Sequence, residues 1–211
     1  PASGYQDGKT AVQALIDKGL LEKVMDERGY SIENWGYGLG WQNGIGAFTP
    51  GKGYLVKVNS DCKLTLQEST SKSAIITPKL LSSSYFKPVY TDNGVNHMSI
   101  NLVELATSGL HEGDEIGIFD GGICVGAATI GADQMATGTM SIPVSANDGL
   151  SQKINGYTTG NLITVRAYNG SETQLKLDVQ KSGVARFNKG ESLFVKVSTD
   201  KVTAVNNISN A

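Results

Sequence analysis

The sequence predicts a mostly-β chain. A small α+β unit with one short helix comes first, followed by an antiparallel β-sandwich of Ig-like or jelly-roll-like type. Three observations predict this. Apolar residues at helical spacing stand out in one place, near the N-terminus. Short alternating runs bounded by Gly, Asn and Asp fill most of the remainder. Between the two lies a stretch dominated by Ser, Thr and Lys. The expected divisions are 1–68 for the α+β module, 69–84 for a linker, 85–200 for the sandwich and 201–211 for a C-terminal tail.

The helix is expected over 10–18, where Val12, Leu15 and Ile16 share one face, Thr10 offers an N-cap and Gly19 a C′ residue. A hairpin is expected next, with 21–25 turning through Asp26-Glu27-Arg28-Gly29 into 30–33. Residues 35–48 read as a loop rich in glycine and aromatics. Residues 54–58 alternate as a half-buried strand, with 62–66 pairing back onto it. Beyond the linker, strands are expected at 85–90, 97–105, 115–119, 123–130, 139–145, 162–168, 173–179 and 193–197. Met98, Ile100 and Leu102 alternate with Ser99 and Asn101, the pattern of a strand with one wet face. One weak repeat aligns 48–61 with 187–200 through a Gly turn and a shared Val-Lys-Val. It reads either as two copies of a related module or as convergence of two closing strands.

Composition removes several functions. The 211 residues carry a net charge of −2, so there is no electrostatic footprint for nucleic acid or an anionic membrane. No apolar run approaches the roughly 18 residues of a membrane span. A start at Pro1, in turn-like sequence, reads as a piece excised from a longer parent chain.

Catalytic patterns are mostly missing. His111-Glu112-Gly113-Asp114-Glu115 lacks the second histidine of a zinc-protease helix. No Gly-x-Ser-x-Gly elbow and no phosphate-binding lysine loop occurs. Asp26/Glu27 and Asp114/Glu115 are adjacent pairs, and neighbours on a strand point to opposite faces, so neither pair spans a glycosidase cleft alone. The chain therefore reads as non-catalytic.

Three candidate sites are left. Calcium is the credible ion, because Asp114, Glu115 and Asp120 flank one short strand and Asn147-Asp148-Gly149 adds hard oxygens. The competing reading is that these residues simply make turns. Cys62 and Cys124 fit no metal spacing and are either one disulfide or two inert thiols. Finally, Trp35, Tyr37 and Trp41 lie among five glycines with Asn34, Gln42 and Asn43 beside them, the stacking faces and amides that a sugar requires. Trp41 is expected to plug the small first module, leaving Trp35 or Tyr37 exposed for ligand. Tyr157 and Tyr168 are further aromatics in the second module.

Two stretches carry a family likeness. Residues 15–33, Trp41-Gln42-Asn43-Gly44-Ile45-Gly46 and Pro50-Gly51-Lys52-Gly53-Tyr54-Leu55-Val56-Lys57-Val58 resemble a repeat in large secreted proteins of bacteria with type IX secretion. Gly113-Asp114-Glu115-Ile116-Gly117 with Cys124-Val125-Gly126-Ala127 is similar to an accessory β-module of the same class of proteins. The tail Val202-Thr203-Ala204-Val205-Asn206 looks like the linker before a C-terminal sorting domain. The resemblance implies an extracellular or outer-surface location and a multi-domain parent. It brings no catalytic residue with it.

The resulting expectation is an accessory binding region that attaches its parent to a surface, a polysaccharide or a partner subunit. The alternatives are a structural subunit of an extracellular assembly and a non-catalytic fragment of a secreted hydrolase.

Overall fold

The computed structural model describes residues 7–36, 38–66, 80–90, 92–150, 152–181 and 183–199. Among the described residues it is mostly β, with three four-stranded sheets, a few short helices and no closed barrel. Residues 69–79 of the expected linker and the tail 201–211 lie outside the described residues.

The expected helix is present but broken into α1 (Gly8–Ala11) and α2 (Gln13–Asp17). Asp7 rather than Thr10 caps it, accepting from the Thr10 backbone N–H at 2.8 Å. Gly19 takes the C′ role at φ +66°. There the Leu20 N–H donates to the Leu15 carbonyl and the Gly19 N–H to that of Ile16, both at 2.9 Å. Val12 and Leu15 bury their side chains with Leu21, Val24, Ile32 and Ile45 to form the N-terminal core.

That core covers one face of the first sheet, ordered β3 (Trp41–Asn43), β2 (Ser31–Asn34), β1 (Leu21–Asp26) and β4 (Tyr54–Val58). The hairpin β1–β2 is as expected, with Val24 opposite Ile32. Its turn needs Gly29, because φ there is +88° and a Cβ would lie 2.7 Å from the His97 ring. Residues 62–66 form no strand, so that expected pairing is corrected.

The second sheet is β10 (Glu172–Gln174), β9 (Ile163–Tyr168), β6 (Glu115–Asp120) and β7 (Ile123–Thr129). The third is β11 (Lys176–Val179), β12 (Ser192–Ser198), β5 (Met98–Val103) and β8 (Thr139–Val144). Ile116, Ile118 and Val165 from the second sheet share one apolar cluster with Ile100, Leu102, Ile142 and Val195 from the third. The expected all-antiparallel pairing fails at one ladder, since β12 runs parallel to β5.

Two further expectations are corrected. Residues 85–90 are not a strand. They lie over the outer face of the second sheet, where Phe86 packs against Phe119 and Cys124. The run 173–179 divides between the two sheets at Leu175, which is buried in their common core. Helix α3 (Ala132–Thr137) was not expected. The Gln134 side chain accepts from the Gly131 N–H at its start, and Gly138 at φ +69° ends it.

Candidate functional site

Strand β5 shows how the site is assembled. Its even-numbered residues Met98, Ile100 and Leu102 enter the common core. Ser99, Asn101 and Val103 therefore point to the other face of the third sheet, and all three are buried there, so the expected wet face of this strand is corrected: the first sheet packs over it. The first sheet supplies their cover. Val103 and Phe194 cluster with Trp35, whose ring meets that of Phe194 edge-on at 5.8 Å between centroids.

A buried lysine lies in the same seam. Lys23 is 5% exposed, and its Nζ donates to Ser192 Oγ at 2.7 Å, the Glu191 carbonyl at 3.1 Å and Ser99 Oγ at 3.3 Å. Glu33 lies 3.8 Å from that ammonium and accepts from Ser192 Oγ. Burial pushes the Lys23 pKa down, against the attraction of Glu33 and Glu191. A charge so placed tolerates burial only because its donors are used.

Beside the seam, an open cleft of about 460 Å³ lies between the first sheet and the α3–β8 side of the third. Tyr30, Trp35 and Gln42 form one wall, and Asp133, Thr139 and Ser141 belong to the other. Ser141 donates to Oδ1 of Asn101, its cross-strand neighbour, at 2.6 Å. The Asn101 Nδ2 behind it is buried and has no hydrogen-bond partner. Asn43 also lines the cleft, but its amide is already engaged with Asp7, Ile45 and Gly46.

Of the three aromatic candidates, neither Trp35 nor Trp41 is an exposed ring. Trp35 is 6% exposed and plugs the seam, so of the two alternatives, Trp35 or Tyr37, it is not the exposed ring. Trp41 is half-buried against the N-terminal core. The reason is alternation: Ile32 enters the N-terminal core and Glu33 reaches Ser192 of the third sheet, so Trp35, two residues on, shares the Glu33 side and meets Phe194. Tyr37 lies outside the described residues.

The three calcium candidates do not converge. Asp114 accepts from the His111 N–H at 2.9 Å. Asp120 accepts from the Thr158 N–H and from Asn161 Nδ2, both at 2.8 Å. Glu115 accepts from the hydroxyls of Ser83 and Ser84 and from the Tyr85 N–H. Desolvation raises the Glu115 pKa, but those donors outweigh it and hold the carboxyl down at about 2. Among the described residues, no group of three or more His, Cys, Asp or Glu is arranged to hold a metal. Each carboxylate ties down a different loop.

Cys62 and Cys124 are both free, the first exposed and the second buried, so the disulfide alternative is corrected. Burial pushes the Cys124 thiol up to about 11, which makes it inert as a nucleophile. The sequence reading missed Lys23, Tyr30, Thr139 and Ser141. Only Lys23 carried a signal, a cation between Leu21 and Met25 at strand spacing. The other three are brought together by packing between distant segments.

No protein-family model, curated protein or solved structure matches this chain.

Proposed function

We propose that this chain is a non-catalytic binding region of a secreted bacterial surface protein, and that it holds a saccharide in the cleft beside the seam. The secreted, multi-domain setting rests on the resemblance of residues 15–58 and 113–127 described above. One observation carries the ligand reading. The cleft brings the half-buried Tyr30 together with the Gln42 amide and the hydroxyls of Thr139 and Ser141, whose donors already go to Leu39, Thr137 and Asn101, so that they meet a sugar as acceptors. Aromatic faces take the C–H side of a pyranose, and amides and hydroxyls take its OH groups. At about 460 Å³ the cleft falls in the usual range for small-ligand sites.

Ala136 on α3 lines the cleft and is solvent-exposed, so a large side chain there fills the space without entering a core. Ala136→Trp should remove retention on the polysaccharide that binds the wild type while leaving the unfolding midpoint unchanged. Unaltered retention by Ala136→Trp would refute the cleft as the site.

A second reading, a subunit of an extracellular assembly, is favoured by the edge strand β4. Leu55 there is 73% exposed at the end of its sheet, and such an edge is a template for another strand. Concentration-dependent association in sedimentation, lost in Leu55→Lys, would select it.

A further inference from the structure

On the outer face of the second sheet, Tyr85 stacks on Tyr168 with ring centroids 3.6 Å apart and planes within 3° of parallel. Tyr85 is the outer ring of the pair and is 46% exposed. An exposed tyrosine is ordinarily free to rotate, but this one is held at three points. Its backbone N–H donates to the buried Glu115 carboxylate at 2.7 Å. Its hydroxyl donates to Glu172 Oε2 at 3.2 Å. Its ring is backed by Tyr168 and met edge-on by Phe86 at 5.0 Å.

The groups around Tyr85 are fixed as well. Arg166 donates to Glu172 at 2.8 Å and lies over the Phe119 ring at 4.0 Å. Gln174, paired across from Arg166 on the edge strand β10, is exposed and brings a side-chain amide to the same face. The result is a flat aromatic surface with a carboxylate, a guanidinium and an amide at its rim. Little side-chain entropy is left to lose when something stacks on it.

We propose that Tyr85 is a stacking platform for a pyranose of a neutral polysaccharide, with Glu172 and Gln174 as hydrogen-bonding groups at its edge. This site is separate from the cleft and does not depend on it. Two contacts on one chain strengthen retention on a polymer through effective concentration.

The test is affinity electrophoresis of the whole chain through gels containing hydroxyethylcellulose, xylan or laminarin. Wild type should be retarded in at least one of these gels. Tyr85→Ala should weaken that retardation about tenfold, the loss expected for one stacked ring. Tyr85→Phe keeps the ring and should stay within about threefold of wild type. The unfolding midpoint of Tyr85→Ala checks that the fold survives, which is expected because Glu115 holds backbone rather than side chain. Retardation of folded Tyr85→Ala equal to wild type overturns the platform, as does passage of wild type through all three gels without retardation. Loss in Tyr85→Ala with no loss in Ala136→Trp supports the platform and refutes the cleft. The reverse pattern supports the cleft and refutes the platform.

Discussion

Trp35 illustrates how much one ring contributes in a protein with few large side chains. It contacts Phe194 and Val103 from the third sheet while its own backbone belongs to the turn after β2. Truncating such a ring removes its transfer energy and leaves a cavity that rigid strands cannot close. Trp35→Ala should therefore cost about 3–5 kcal/mol. Trp41→Ala, at a half-buried position, should cost clearly less. Urea unfolding of both variants checks the order, and equal losses would refute it. Gly156 is a residue of the opposite kind, needed for its lack of a side chain. A Cβ there would lie 2.2 Å from the Ala146 backbone.

Strand β6 shows how polar residues organise an element. Gly117 leaves room for Phe86, whose ring a Cβ would approach to 2.8 Å. At the start of the strand, Glu115 gathers the hydroxyls of Ser83 and Ser84 and the N–H of Tyr85, and so pins the crossing segment onto the sheet. The carboxyl is held at about 2, below its ordinary value near 4.5, so the unfolded chain binds the extra proton between those pH values. The stabilisation is full above pH 4.5 and is lost as the pH falls toward about 2. Glu115→Gln removes the charge-assisted bonds and should cost about 1–3 kcal/mol at neutral pH. Its stability should also fall less steeply with acid than that of wild type. Parallel pH profiles for the two proteins would count against this account.

The whole molecule is held together by the contact between the first sheet and the third. Lys23, Glu33, Ser99 and Ser192 form a polar cluster inside the seam, beside the apolar contact of Trp35 with Val103 and Phe194. Removing the lysine alone leaves the half-buried Glu33 without its countercharge, the costly way to break such a pair. Lys23→Met should lower stability by about 3–5 kcal/mol. It should also divide one thermal transition into two, with the first accompanied by a red shift of Trp35 emission in a Trp41→Phe background. A single transition at the wild-type temperature would show that the cluster is not what holds the sheets together. The cleft lies against this seam, so its shape depends on the same contacts.

By itself the sequence determined the local features. Alternation marked β5 and β9 as strands, and the residues before Gly19 marked a helix. These depend on periods of two or 3.6 residues and on backbone freedom, which neighbours along the chain encode. The parallel pairing of β12 with β5, the change of sheet at Leu175 and the short helix α3 came only from the tertiary structure. So did the burial of Trp35 and the placement of Tyr85 and Lys23. The physical reason is the same in each case. A side chain's exposure depends on which distant segment covers it, and Phe194 and Ser192 lie more than a hundred residues from the Trp35 and Lys23 that they meet.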